Sequence, residues 1–115
     1  MLLHNDFSSD MRVMREASAL VDGGWDVTVL CLRGEGLADT EWRDGYAVKR
    51  VADRTATGWR NPLRKIAEMR HRASALSAAA IAERPDIVHC HDTDTLSAGR
   101  VAASATGAKL VYDAH

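Results

Sequence analysis

The chain has 115 residues, of which 46% are hydrophobic and 27% are charged, and its net charge at pH 7 is −1. This length fits one domain with a buried core, and this composition is typical of a globular rather than a disordered protein. The near-neutral charge gives no general attraction to nucleic acid, and an aromatic content of 5% gives no support to base stacking on a single strand.

The beginning of the chain predicts a strand followed by a helix. Residues 1–4 form a short apolar run, and residues 10–21 carry apolar side chains at helical spacing. Either Ser9 or Asp10 can serve as the N-cap, because both side chains accept hydrogen bonds from free backbone amides. The glycine pair that begins at Gly23 ends the helix.

The next part of the chain predicts two strands. The run VTVLCL at residues 27–32 is apolar throughout and rich in valine and leucine, as in a strand buried on both faces. The run YAVKRV at residues 46–51 alternates enough to predict another strand. Residues 34–45 predict polar turns, and residues 53–59 predict a loop.

A long helix is predicted from Pro62, which follows the capping residue Asn61 and lies where a missing amide costs nothing. Pro85 ends this pattern. The helix is locally basic, which suits either a solvated face or contact with an anionic membrane. Small residues on its apolar side favour packing of that side on a sheet. We therefore expect the basic side chains to face solvent rather than a membrane. The basic side chains are those of Arg60, Arg64, Lys65, Arg70, His71 and Arg72.

The last third of the chain predicts a strand, a helix and a final strand. Residues 87–90 form the first strand, and residues 110–112 form the second. The helix between them reaches residue 105, with Thr93 or Asp94 as its N-cap; we favour this capping role for Asp94. The cysteines, Cys31 and Cys90, both fall inside apolar strand-like runs, which predicts buried reduced thiols.

The resulting order, β-α-β-β-α-β-α-β, predicts an α/β fold: a doubly wound, mainly parallel sheet with helices on both faces. In such sheets ligands bind outside the carboxyl ends of the strands. Polar clusters follow three of the predicted strands, so we expect the fold to bring them to one rim. These clusters are His4-Asn5-Asp6, His89–Asp94 and Asp113-Ala114-His115.

Four blocks of the sequence resemble a known family in order and spacing. They are the D-x-R-V-x-R-E-A helix, the G-x-x-V-T-V-L strand, the R-P-D-I-V-H-x-H-D strand and the K-L-V-Y-D-A-H strand. Together they cover most of the chain and resemble the N-terminal domain of GT-B glycosyltransferases of family 4. The resemblance implies a Rossmann-like fold for residues 1–115 as a single domain. We further expect an incomplete N-terminal GT-B domain, truncated at its C-terminal end.

The resemblance implies a retaining glycosyltransferase that moves a sugar from a nucleotide-sugar donor to a sugar or lipid-linked acceptor. It implies no metal and no cofactor besides the nucleotide-sugar co-substrate. This chain would supply the acceptor-side half of the cleft, and the partner would be the C-terminal GT-B domain. Whether the isolated chain is an active enzyme is left open. No signal peptide is evident, so the expected location is cytoplasmic, with peripheral contact at the inner face of the membrane left open.

His91 and Asp92 are the candidate catalytic residues. By the resemblance, His91 lies beside the transferred sugar, where its imidazole can hydrogen-bond a hydroxyl group. The Asp92 carboxylate can orient the imidazole or bind hydroxyl groups itself. Strand alternation sends Cys90 to the opposite face and returns His89 to the side of His91, deeper in the fold. We therefore assign His89 and Cys90 to the core.

Five further residues are candidates for substrate binding. Asp6 and Asp10 flank the first predicted strand-to-helix loop, which has the sequence NDFSSD and lacks the glycines common in the family. Arg12 can hold a phosphate or a carboxylate through two parallel hydrogen bonds, or pair with Asp10 or Glu16 on the helix surface. Thr93 opens a helix whose free amides attract anions, and Asp113 follows the last strand.

Two other functions remain as alternatives to a glycosyltransferase. A metal-dependent hydrolase would bind zinc through His89 and His91, with Asp92 or His115 as further ligands. The short chain leaves no room for the barrel in which this motif is usual. A non-catalytic module that binds a sugar or a partner is the other alternative.

Overall fold

The computed structural model describes residues 1–53 and 61–114. Three predictions fall outside these ranges: most of the loop at residues 53–59, the basic residue Arg60, and His115 as a candidate metal ligand. In chain order the elements are α1 (Met11–Asp22), β1 (Thr28–Arg33), β2 (Thr40–Arg43), β3 (Tyr46–Asp53), α2 (Pro62–Glu83), β4 (Ile87–His91), α3 (Thr93–Thr106) and β5 (Lys109–Asp113).

The strands form two groups that the beginning of the chain joins. In one group β1 pairs in parallel with β3, which pairs in antiparallel fashion with β2, and in the other β4 pairs in parallel with β5. Leu2 bridges Leu30 of β1 and Cys90 of β4, in parallel on both sides. We call residues 1–5 the N-terminal segment. The order across the sheet is therefore β2, β3, β1, N-terminal segment, β4, β5.

Backbone hydrogen bonds hold the N-terminal segment on both sides. The amide of Leu2 donates to the carbonyl of His89 at 2.7 Å, and the amide of His91 donates to the carbonyl of Leu2 at 3.1 Å. On the other side the amide of Leu3 donates to the carbonyl of Leu30 at 3.0 Å. The predicted first strand is thus present as isolated bridges rather than as a regular strand.

Helices cover both faces of the sheet, so the predicted doubly wound α/β fold is confirmed. Side chains that alternate along the strands enter two separate cores. The core under α1 contains Leu3, Phe7, Val13, Ala17, Val27, Val29, Cys31, Tyr46 and Val48. The core under α2 and α3 contains Leu2, Leu30, Leu32, Leu76, Ala80, Val88, Cys90, Ala98 and Ala102. Both cysteines are buried and free, as predicted.

The prediction of polar turns at residues 34–45 is wrong in part, because this segment contains β2. β2 has four residues and pairs with β3 through a two-residue turn, Asp44-Gly45, in which both residues have positive φ. Such a turn matches the twist of a hairpin. The four residues TEWR include no buried side chain, and so they lack the apolar run from which a strand is usually recognised.

Helix α2 begins as predicted, with the Asn61 side chain accepting from the amides of Leu63 and Arg64 and with Pro62 as the first helical residue. Its second half contributes buried Leu76 and Ala80 to the core. Its first turns project from the sheet, and Leu63, Ile66 and Met69 are exposed there. No helix in the described part of the chain combines the length and the apolar character that crossing a membrane requires.

Helix α3 approaches β4 at a glycine. A Cβ atom at Gly99 would overlap the sulfur of Cys90 and would lie 3.2 Å from a methyl carbon of Leu110. The Cys90 thiol is itself fixed, because it is buried and lies 3.6 Å from the carbonyl of Thr95. The small size of Gly99 therefore sets how closely α3 packs on the sheet.

We expect Gly99→Ala to lower the free energy of unfolding by about 1–3 kcal/mol, because the added methyl overpacks this contact. Removing the obstacle in the double variant Cys90→Ala/Gly99→Ala should recover part of this loss. Urea denaturation of the two variants and of Cys90→Ala measures both effects. Ser97→Ala, on the exposed side of α3, is the control. If the changes in the free energy of unfolding of the two single variants simply add in the double variant, this explanation is contradicted.

Candidate functional site

The candidate site lies where the N-terminal segment and β4 run side by side. The chain continues from the N-terminal segment to α1 on one face of the sheet, and from β4 to α3 on the other face. Neighbouring parallel strands that connect to opposite faces leave a crevice at their carboxyl ends, where ligands bind in doubly wound sheets. Two loops border this crevice: residues 5–10, called here the first loop, and residues 91–93, called the second loop.

The first loop is held by its own aspartates. The Asp10 side chain caps α1 by accepting from the amide of Val13 at 3.3 Å, and its second oxygen accepts from the Asn5 side chain at 3.1 Å. The Asp6 carboxylate accepts from both the amide and the hydroxyl of Ser8, at 3.1 and 2.6 Å. Asp10 is thus the N-cap, as one of the two predicted alternatives. Both aspartates shape the loop at the position where they were predicted to meet a ligand.

A buried arginine braces the first loop from below. Arg50 is 2% exposed, and its guanidinium donates to the carbonyl of Asp6 at 3.0 Å and to that of Ala38 at 2.7 Å. It also lies 3.4 Å from a carboxylate oxygen of Glu41. Arg50 was not predicted as a site residue, although it alternates along β3 with Tyr46 and Val48, which are buried, and this alternation marks it as an inward-facing charge.

The second loop contains a strained residue. Asp92 has φ 68° and ψ 159°, a combination that essentially only glycine adopts and that costs about 1–3 kcal/mol for other residues. Its amide donates to the carbonyl of Asp113 at 3.1 Å. The Thr95 hydroxyl lies 2.8 Å from the carbonyl of His91 and 3.1 Å from that of Asp92. These contacts hold Asp92 in its unusual conformation at the mouth of the crevice.

The predicted N-cap of α3 is wrong. The cap position belongs to Asp92, whose side chain makes no capping hydrogen bond, while Thr93 and Asp94 lie within the first turn of the helix. The carboxylate of Asp94 instead lies 3.6 Å from Nδ1 of His4. Burial lowers the pKa of His4, and Asp94 opposes this effect. This contact connects the N-terminal segment with the first turn of α3.

His91 lies below the rim rather than on it. Its side chain is fully buried, and burial, followed by the charge of His89, lowers its pKa to about 4. The two imidazole rings are 4.3 Å apart. At neutral pH His91 is therefore an uncharged hydrogen-bonding group. His89 shares the face of His91, as predicted, but it is half-buried rather than part of the apolar core.

A carboxylate from α1 reaches both histidines. One oxygen of Glu16 lies 3.2 Å from Nδ1 of His89, and the other lies 3.9 Å from Nε2 of His91. Asp113 lies opposite His91 in the register of β4 and β5. Glu16 was not predicted to lie here, because the local sequence of a helix does not show which distant strand a given side chain will contact.

The structure therefore brings some predicted site residues together and separates others. His91, Asp92 and Asp113 meet at the carboxyl ends of β4 and β5. Asp6 and Asp10 belong to the first loop on the other side of the crevice. Arg12 and Thr93 are exposed. Of the ligands predicted for a hydrolytic zinc, Asp92 is not among the residues that gather around His89 and His91, and His115 lies outside the described residues.

We expect Asp92→Gly to be more stable than Asp92→Ala by about 1 kcal/mol, because only glycine adopts this backbone conformation without strain. Thermal and urea unfolding of both variants measures the difference. The control is Asp94, in the regular first turn of α3, where glycine should instead be less stable than alanine by about 1 kcal/mol. If the glycine variant is the more stable one at both positions, or the less stable one at both, the assignment of strain to Asp92 is contradicted.

Comparison with known proteins gives one family. No curated protein matches the chain. The family model of the Glycosyl transferase 4-like domain matches residues 9–115, which include α1, all five strands and the loop that contains Asp92. The N-terminal segment precedes the match. With its doubly wound fold and a crevice at the carboxyl ends of its parallel strands, the chain belongs to the Glycosyl transferase 4-like domain family.

Proposed function

We propose that this domain forms the acceptor-side wall of a retaining glycosyltransferase of the GT-B type. In this proposal a second domain faces the crevice and holds most of a nucleotide-sugar donor, and cationic groups of that domain stabilise the departing phosphate. The acceptor is a sugar or a lipid-linked sugar. Attack and departure take place on the same face of the transferred sugar, which retains its anomeric configuration.

The single observation that carries this proposal is the meeting of polar groups from distant parts of the sequence at the topological switch point. His4 and Asp94 are 3.6 Å apart, and Asp113 is hydrogen-bonded through its backbone to Asp92. Hydroxyl, carboxylate and imidazole groups suit a sugar, which offers many donors and acceptors but little charge. The side chains of Asp94 and of its neighbour Thr93 are exposed and accessible to a ligand.

His91 and Asp92 hold the proposed positions nearest the reacting sugar. Asp92 is half-buried at the mouth of the crevice, and His91 is fully buried below it. Contact between a sugar hydroxyl and the imidazole therefore requires side chains above His91, such as the half-exposed Glu16, to move aside. The lowered pKa of His91 keeps the imidazole neutral, so it can both accept and donate a hydrogen bond.

The test uses the protein that contains this chain, incubated with a panel of nucleoside-diphosphate sugars and simple glycoside acceptors. We expect release of nucleoside diphosphate with at least one donor and a product of retained configuration by proton NMR. His91→Asn should lower kcat/KM by about 100-fold or more, as for the loss of a positioned polar group at a reacting centre. His71→Asn, at an exposed histidine of α2, is the matched control.

Absence of turnover with every donor, or equal turnover by His91→Asn and His71→Asn, would contradict the proposal. Saturation-transfer NMR with a glycoside also distinguishes the proposal from the alternative of a non-catalytic module. Saturation transfer to a glycoside without release of nucleoside diphosphate would favour a sugar-binding module.

The first turns of α2 form a surface that suits peripheral contact with an anionic membrane. Leu63, Ile66 and Met69 recur at helical spacing on the side that carries buried Leu76 and Ala80 further along the helix, yet they are 76%, 53% and 47% exposed. Cationic side chains lie among them, with Arg64 and Lys65 both exposed. An exposed apolar stripe with flanking cations is the pattern of an interfacial helix. A lipid-linked acceptor would be reached from this position.

We expect the protein to float with vesicles that contain anionic lipid and to dissociate as salt is raised, because screening weakens attraction to the surface. Ile66→Asp should reduce the bound fraction. Val101→Asp, on α3, is a matched control, because Val101 is 54% exposed and Ile66 is 53% exposed. Equal binding to uncharged vesicles, or equal loss in both variants, would contradict membrane contact through α2.

A further inference from the structure

Four side chains from three elements converge under α1. Glu16 comes from α1, His89 and His91 come from β4, and Asp113 comes from β5. One nitrogen or oxygen of each residue lies within 4.8 Å of the corresponding atom of every other residue. These four residues are called here the His-carboxylate cluster.

The backbone explains why these side chains meet. Residues two apart in a strand point to the same face, so His89 and His91 both face α1, and Cys90 between them faces α3. Parallel pairing places Asp113 directly beside His91, and neighbours in register also share a face. Glu16 then closes the group from the helix above, with its two oxygens directed at different imidazoles.

The donor atoms match those of a transition-metal site. Two imidazoles and two carboxylates are ligands that Zn²⁺ accepts, at about 2.0–2.2 Å each. Four such ligands around one ion are separated from one another by about 3.3 Å in tetrahedral geometry. The 3.2 Å between Glu16 and His89 already has this value. The wider separations, up to 4.8 Å, close by small rotations of side chains that are only half-buried at Glu16 and Asp113.

The charges of the cluster favour a cation. Two carboxylates face two imidazoles, so a cation between them meets negative charge and ring nitrogens that can bind it. A neutral imidazole presents a lone pair to a metal, whereas a protonated one cannot bind it. The positive charges of the N-terminal amine and of Arg12 oppose a cation here, and the Arg12 side chain is exposed and screened by solvent.

We propose that Glu16, His89, His91 and Asp113 bind one divalent transition-metal ion, with Zn²⁺ as the best match to this donor set. The ion would connect α1 to β4 and β5 at the carboxyl ends of the strands. This inference does not depend on sugar transfer, and an ion bound at one ring nitrogen of His91 would leave the other nitrogen to donate a hydrogen bond to a sugar hydroxyl. It differs from the zinc site considered for a hydrolase. Both sites use His89 and His91, but here the further ligands are Glu16 and Asp113 instead of Asp92 or His115.

Isothermal titration of the chelator-treated 115-residue chain with Zn²⁺ tests the proposal. We expect one equivalent to bind, and we expect the thermal unfolding midpoint to rise with Zn²⁺ because the ion binds the folded state. Co²⁺ in place of Zn²⁺ should give the visible absorption bands of a four- or five-coordinate ion. Inorganic Mg²⁺ should compete poorly, since it prefers six oxygen ligands.

Variants identify the ligands. His89→Ala, His91→Ala and Glu16→Gln should each weaken Zn²⁺ binding at least about tenfold. His71→Ala removes an exposed histidine outside the cluster and should leave the affinity unchanged. Circular dichroism establishes that each variant is folded.

A second measurement uses only the unaltered chain. In nitrogen–proton NMR spectra of the histidine rings, Zn²⁺ should shift the signals of His89 and His91 before those of His4 and His71. The proposal is overturned if no equivalent binds, if the His71 or His4 signals respond first, or if the cluster variants bind Zn²⁺ as tightly as His71→Ala. The cluster is then a network of hydrogen bonds and ion pairs without a metal.

Discussion

The fold depends on the two-sided backbone pairing of Leu2. Its amide and carbonyl bond to β4, and the flanking residues bond to β1. Without this pairing β1–β3–β2 and β4–β5 are separate sheets. The pairing also aligns the carboxyl ends of the N-terminal segment and β4. The first and second loops are neighbours for this reason, although most of the chain separates them in sequence.

The alternation of β4 then divides structural from chemical roles. Val88 and Cys90 point toward α3 and complete one apolar core, where Gly99 permits the close approach of the helix. His89 and His91 point the other way, toward α1, where Glu16 and Asp113 join them. One five-residue strand thus supplies core residues on one face and both imidazoles of the His-carboxylate cluster on the other.

Local signals in the sequence were sufficient for the helices and for most of the sheet. Pro62 and Asn61 mark the start of α2, and the apolar runs mark β1, β3 and β4, because burial of a strand or of a helix face imposes a period on the sequence. β2 was not predicted because its residues are not buried. Asp94 was placed at the cap because Asp is among the preferred N-cap residues. The positive φ of Asp92, which no sequence pattern indicates, shifts the cap by two residues. Glu16 and Arg50 were missed because their partners come from elements that only the fold brings near.

The burial of His91 sets how the floor of the crevice responds to acid. Its imidazole gains a proton only when the pH falls toward about 4, and it does so while buried. Acidification therefore adds positive charge to the floor at β4, and the crevice changes its electrostatic character there.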